Sequence, residues 1–233
     1  MQRHVFAFLG RQIELWTHPE PDHIARAIRA SRSFYELDVL MKCRELYLPG
    51  TTIIDVGANI GNHTVFFAAI LDAPVHAFEP YPPNYDLLAL NVAANNLEDR
   101  VVLHSCALGA DCGTGSVRLG HAENFGTARV SFGAGEVDVK SLDSVAIPGP
   151  VGILKVDVEG AEIPVLLGAK ELIGAWLPDI LVEAGQADDF QAVARILLGF
   201  GYAPRGRYAW TPTYLFSALD QARRMRAVLG APH

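Results

Sequence analysis

The apolar run Thr52-Ile53-Ile54-Asp55-Val56 stops at Gly57, and a second glycine, Gly61, comes just before a helical pattern that opens at Asn62. A short apolar run halted by glycine marks a strand buried on both faces, the kind found in parallel sheets. The pattern recurs along the chain. Apolar runs at Val75–Phe78, Val101–Cys106, Gly152–Val156 and Ile180–Val182 alternate with helical segments at Asn62–Leu71, Asn84–Asn95, Glu162 to about Ile173, and Asp188–Leu198. Pro82 and Pro83 suit a helical first turn, where a missing N–H costs nothing. Such alternation predicts an α/β fold: a doubly wound, mostly parallel sheet with helices on both faces. Tyr202–Tyr208 and Thr213–Ser217 read as a closing antiparallel hairpin. The glycine-rich stretch 113–140 reads as a β-excursion with pieces at Ser116–Leu119, Ala128–Phe132 and Val137–Val139.

Residues 1–50 follow another pattern. A short strand pair leads into helical segments, in which Phe34, Leu37, Val39, Leu40, Cys43, Leu46 and Tyr47 recur at roughly helical spacing before Pro49-Gly50. We therefore expect a small N-terminal cap over residues 1–50, packed on a main domain over 51–233.

With 233 residues, half of them hydrophobic and 19% charged, the chain can bury a large core and is not disordered. A formal net charge of −7 repels phosphate backbones, so nucleic acid is not expected as a partner. Two basic groups, Arg26/Arg29/Arg32 and Arg223/Arg224/Arg226, read as solvated faces. The three cysteines, without a CxxC pair, read as buried small hydrophobes in a reducing compartment. The apolar run at the N-terminus is too short for a signal peptide, and Asp55 interrupts the most hydrophobic stretch, so no membrane span is expected. These points predict a cytoplasmic protein.

Open α/β sheets bind ligands beyond the carboxyl ends of their strands, at the point where strand order reverses. Gly57 and Gly61 stand there with three residues between them. A dinucleotide fingerprint needs a middle glycine, and Asn59 occupies that place; a Walker loop needs Lys-Ser/Thr after the last glycine, which is absent. What remains is an acid, Asp55, ahead of G-x-x-x-G. That suits a ligand with a cationic amino-acid moiety, its ammonium held by Asp55 directly or through water. Glu79, just past the second strand, is placed to accept from both hydroxyls of a ribose. The two acids together indicate a nucleoside ligand.

The segments Ile54-Asp55-Val56-Gly57-Ala58-Asn59-Ile60-Gly61-Asn62-His63-Thr64, Phe78-Glu79-Pro80 and Leu154-Lys155-Val156-Asp157-Val158-Glu159-Gly160-Ala161-Glu162 resemble those of the FkbM-type methyltransferases. The resemblance covers roughly residues 50–218. It implies a class I, Rossmann-like domain, S-adenosylmethionine as cofactor, and O-methylation of a sugar or natural-product hydroxyl. Asp55, Gly57, Asn59, Gly61 and Glu79 are then the cofactor-binding candidates.

Methyl transfer from a sulfonium needs alignment of nucleophile and methyl, and a group that removes the hydroxyl proton. Asp157, at the end of the fourth strand, is the first candidate base, with Glu159 in the following turn. Lys155 partly relieves the repulsion among Asp157, Glu159 and Glu162, and Glu162 reads as a first-turn acid on the helix dipole. Glu183 ends the fifth strand. Asp157 and Glu183 could share a divalent ion, or act without metal as base and hydroxyl anchor; no third ligand is evident, so metal is not favoured. His63, at the start of the first helix of the main domain, reads equally as a base or as a donor to a backbone carbonyl. His121 and Asn124 are expected beside the acceptor in a mobile loop, while His104, Trp16 and Trp176 read as structural and Trp210 as structural or facing the acceptor. A non-catalytic module that binds S-adenosylmethionine within a biosynthetic complex is the alternative, disfavoured by the strand-end acids; a nicotinamide oxidoreductase is disfavoured by the glycine spacing.

Overall fold

A computed structural model describes residues 1–19, 22–121 and 124–230, except the side chains of residues 120, 121, 124–127, 221, 222, 226 and 227. The chain opens with a hairpin, β1 (Gln2–Phe8) and β2 (Arg11–Thr17), and two helices, α1 (His23–Ser31) and α2 (Leu37–Leu46). The alternating part follows: β3 (Thr52–Val56), α3 (Asn62–Ile70), β4 (Val75–Phe78), α4 (Pro82–Ala94) and β5 (Val101–His104). The excursion comprises β6 (Ala107–Leu108), β7 (Gly113–His121), β8 (Asn124–Phe132) and β9 (Val137–Lys140). The chain then returns through β10 (Val151–Val156), α5 (Glu162–Leu167), α6 (Lys170–Trp176), β11 (Asp179–Glu183) and α7 (Ala187–Gly199). It closes with β12 (Tyr202–Tyr208), β13 (Thr213–Ala218) and α8 (Gln221–Leu229).

The main sheet has seven strands in the order β12-β13-β11-β10-β3-β4-β5. The five strands from β11 to β5 are parallel, and β13 and β12 are antiparallel additions at one edge. Strand order reverses between β3 and β10, so the crevice expected from the sequence lies beyond Val56 and Val156. Successive residues of each strand enter opposite cores, as the pleat requires. Ile53, Val75 and Ile153 pack with α3, α4 and the N-terminal elements; Ile54, Phe78 and Leu154 pack with α5, α6 and α7. Beside this lies a four-stranded sheet, β6-β9-β7-β8.

The N-terminal hairpin is fastened to α4 through asparagines. Asn91 Oδ1 accepts from the Trp16 N–H at 2.6 Å and its Nδ2 donates to the Trp16 carbonyl at 2.9 Å. One turn on, Asn95 makes the same two bonds to Glu14, at 3.0 and 2.7 Å. Two side-chain amides thus satisfy an edge of β2 that would otherwise stand unpaired.

Three features depart from the sequence expectation. The helix expected from Glu162 to about Ile173 is two helices, α5 and α6. At the break, a Cβ on Gly168 would lie 2.1 Å from the Gly109 carbonyl oxygen, and Asp143 accepts from the N–H groups of Glu171 and Leu172 to cap α6. The stretch 221–229 forms α8. Arg224, read as part of a solvated face, is buried, and its guanidinium lies 2.6 Å from Asp179 Oδ2. Among the described residues, no helix is long and apolar enough to cross a membrane.

Candidate active site

Beyond β3 the chain turns through Gly57–Gly61, and three residues of that turn, Gly57, Asn59 and Gly61, hold positive φ. Gly57 is obligatory for a second reason: a Cβ there would lie 1.7 Å from the Asp157 carbonyl oxygen, where the β10 chain crosses over. The Asp157 N–H also donates to the Val56 carbonyl at 3.0 Å, so the two strand ends are locked together. They open into a cleft of about 250 Å³.

One end of the cleft is built by the glycine turn and β4. Glu79 is 4% exposed and lines the cleft; its Oε2 accepts from the Asn59 N–H at 2.9 Å and its Oε1 from the Tyr81 N–H at 2.8 Å. Burial pushes its pKa up to about 7, against the pull of those two amides and of Lys155. Asn59 Oδ1 is buried here without a hydrogen-bond partner. A small apolar recess lined by Phe78, Cys106, Leu108, Val130 and Val158 continues from this end.

A buried charge network forms the floor. Lys155 Nζ, 2% exposed, lies 3.2 Å from Asp55 Oδ1 and 3.3 Å from Asp157 Oδ2. Burial would lower its pKa, but Asp55, Asp157 and Glu36 reverse this and keep it above the usual lysine value. Asp55 is fully buried and does not line the cleft; its other oxygen accepts from the Thr64 hydroxyl at 2.7 Å. An alternating strand points it between sheet and α3, so it faces Lys155 and not the ammonium of a ligand in the cleft.

Burial alone would raise Asp157. Lys155 and a hydrogen bond with Glu183 outweigh that and hold its carboxyl well below the usual carboxylate range. Glu183 bears the opposite consequence: burial, then the Asp157 charge, push it far up, so the two carboxyl groups share one proton between them. Asp157 is therefore a weak proton acceptor. Glu159, with φ +54°, lines the cleft, 3.9 Å from the Arg129 guanidinium, and burial raises it. Glu162 Oε1 accepts from the N–H groups of Val158 and Gly160, which folds the turn that carries Glu159.

The opposite wall comes from the N-terminal segment, where no site residue was expected. Tyr35 and Glu36 line the cleft, and Glu36 Oε2 lies 3.5 Å from His63 Nε2. Burial, then Asp157, raise Glu36 to about 7, with Lys155 opposing. Burial, then Lys155, lower His63 to about 4, so its ring is neutral at ordinary pH. The signal for Glu36 in the sequence is slight: one acid inside the run Phe34-Tyr35-Glu36-Leu37.

The structure thus brings Gly57, Asn59, His63, Glu79, Asp157, Glu159 and Glu183 to one cleft, leaves Asp55 beneath it and Gly61 outside its lining, packed toward Leu88 of α4, and adds Tyr35, Glu36, Asn84 and Thr211. The His121 and Asn124 side chains lie outside the described residues, though Ala128 and Val130 of β8 reach the cleft. His104 stacks on Phe78 with centroids 4.2 Å apart, away from the site, and Trp210 is 97% exposed beside Thr211.

Residues 55–204 match the family model described as the methyltransferase FkbM domain. Hexuronic acid methyltransferase AglP of Haloferax volcanii is 29% identical over 168 residues, covering 70% of this chain and 67% of that protein. The 31-O-demethyl-FK506 methyltransferase FkbM of Streptomyces tacrolimicus is 27% identical over 194 residues, covering 66% of this chain and 73% of its own. Among solved structures, methyltransferase FkbM from Methylobacillus flagellatus superposes with a TM-score of 0.59 at 19% identity over 80% of this chain. The match spans about half that protein, 49% of its length.

Proposed function

Because the chain belongs to the FkbM methyltransferase family, we propose that it uses S-adenosylmethionine to methylate a hydroxyl of a sugar or natural-product acceptor. The observation that carries the cofactor reading is the polar end of the cleft, where Glu79 and the unpartnered Asn59 Oδ1 converge beside a glycine turn. These groups suit the hydroxyls and ammonium of a nucleoside bearing an amino acid. S-adenosylmethionine supplies an electrophilic methyl group on a cationic sulfur. An acidic cleft favours that cation and repels a phosphodiester chain. The relatives act, by their names, on a hexuronic acid and on an O-demethyl natural product, which supports an oxygen acceptor.

In this reading Gly57, Asn59 and Glu79 hold the cofactor and Gly61 makes the turn that presents them, while Asp55 holds Lys155, which fixes Asp157. The Asp157–Glu183 pair, joined by its own hydrogen bond, orients a hydroxyl through its remaining acceptor oxygens. Glu159 borders the acceptor. The three cysteines are unpaired, which fits a reducing cytoplasm, but Cys112 is exposed and not the buried hydrophobe expected from the sequence.

Calorimetry with S-adenosylhomocysteine tests the cofactor reading. We expect micromolar binding, on the order of 7–8 kcal/mol, and at least a tenfold loss in Glu79→Ala. Equal affinity in the two proteins removes Glu79 from that role, and tighter binding of a nicotinamide dinucleotide overturns the reading. Methyl transfer to a panel of monosaccharides, hexuronic acids and hydroxylated macrolides then identifies the acceptor class.

A further inference from the structure

We infer that Glu36, supplied by the N-terminal segment outside the span matched by the family model, takes the proton of the acceptor hydroxyl, with the neutral ring of His63 beside it at the cleft wall. The inference rests on the methyl-transfer reading above and names the base for it.

The backbone is the first argument. Glu36 sits at φ +53° and ψ +47°, a left-handed conformation that costs free energy for a residue with a Cβ and is met at functional sites. It is held there from the glycine-turn side. Asn62, the first residue of α3, accepts from the Tyr35 N–H at 3.0 Å through Oδ1 and donates to the Tyr35 carbonyl at 3.0 Å through Nδ2. The clamp puts a carboxylate with 13% side-chain exposure at the cleft wall, facing His63 Nε2. That nitrogen is itself buried, with no hydrogen-bond partner.

Elimination is the second argument. Asp157 is bound to Lys155 and Glu183 and gives up little by staying ionised. Glu183 shares one proton with Asp157. Glu79 accepts two backbone amides at the other end, and Glu159 sits beside Arg129. Glu36 remains. The groups that face it are Lys155 from β10, Asp157 just past its end, His63 from α3, Asp38 from α2 and the adjoining Tyr35, which hydrogen-bonds to it. Their balance brings its proton affinity near neutrality, the value most effective for general-base work.

The acceptor oxygen gives its proton to a Glu36 carboxylate oxygen as it gains the methyl group, and the pair of the broken carbon–sulfur bond stays on sulfur. The neutral thioether leaves, and Glu36 later returns its proton to solvent. The Asn62 clamp on Tyr35 holds the carboxylate at the wall, and the His63 ring beside it stays neutral throughout.

The test follows the His63 ring by NMR from about pH 5 to about pH 9, in free protein and with S-adenosylhomocysteine. In the wild type its Hε1 resonance should move with a midpoint near 7, reporting Glu36 while the ring stays neutral; in Glu36→Gln that inflection should vanish, and in Glu36→Asp it should move. On the acceptor from the panel, Glu36→Gln should lose about 10²–10⁴-fold in turnover with product affinity within about twofold of wild type, and Glu36→Asp should recover part of it. A flat wild-type resonance, an inflection that survives Glu36→Gln, or near-normal turnover in that variant overturns the assignment. Failure of the wild type to bind S-adenosylhomocysteine counts against the cofactor reading instead, and the titration of the free protein still decides the Glu36–His63 contact.

Discussion

Lys155 brings a positive charge to the middle of the sheet, and its two nearest partners sit on either side of the strand end. Asp55 is out of reach of solvent, and Asp157 reaches the cleft with a side chain 32% exposed. Removing the cation leaves two carboxylates in low dielectric, each short of its counter-charge. Breaking a buried pair in this way costs about 3–5 kcal/mol, whereas removing both members of a pair costs less. Lys155→Met should therefore lower the unfolding free energy by that amount in urea titration, and adding Asp55→Asn should restore part of it. A loss below about 1 kcal/mol in the single variant would mean that Lys155 does not hold this floor together.

At the scale of elements, the attachment of β1 and β2 to α4 depends on two residues one turn apart. We propose that residues 1–50 act as a cap, because this segment supplies Tyr35 and Glu36 and is fastened at named points. Asn91 is fully buried and also donates to the Ile60 carbonyl at 2.7 Å, so Asn91→Ala strands several backbone groups. The expected cost is about 2–4 kcal/mol. Hydrogen exchange should rise first in β2, with β3 and β10 still protected; uniform loss of protection would show that the cap and sheet open together. The parallel strands were readable because each apolar run ends at a break such as Gly57. The split between α5 and α6 was not, since helical spacing continues across Gly168 and only the approach of Gly109 interrupts it. Nor was α8, whose inward anchor is Arg224 finding Asp179, a pairing local sequence does not show. The strand-end acids were readable by position, but their roles depended on neighbours. Asp55 and Asp157 look alike in the sequence and both turn toward Lys155, but Asp55 is sealed beneath the cleft against Thr64 while Asp157 lines it, and Glu36 enters the site only through a left-handed turn that Asn62 holds.

Across the whole molecule, the chain's acidic excess is concentrated where the cleft buries it, and that makes stability depend on pH. Glu36 and Glu79, both raised to about 7, contribute stability that is complete below about pH 4.5 and lost as pH rises through about 7. His63, lowered to about 4, acts in the opposite sense: its contribution is present above its ordinary value of 6.5 and lost as pH falls toward 4. These effects offset one another in mild acid and have ended by slightly alkaline pH. Glu183 has not. The proton it shares with Asp157 stays in the folded protein while the unfolded chain has lost it, so the folded state binds one proton more. Stability must then fall with rising pH, by up to about 1.4 kcal/mol for each pH unit. The Cys43 thiol, pushed to about 12 by burial, adds the same sign only as pH nears 9. Urea titrations at about pH 7.5, 8.0 and 8.5 isolate Glu183 in the ligand-free protein. We expect the wild type to lose roughly 1 kcal/mol over that interval and Glu183→Gln, which keeps a donor toward Asp157 without an ionisable proton, to stay nearly level. Parallel slopes in the two proteins would show that Glu183 is ionised at neutral pH, and the shared proton assigned to the Asp157–Glu183 pair would have to be withdrawn.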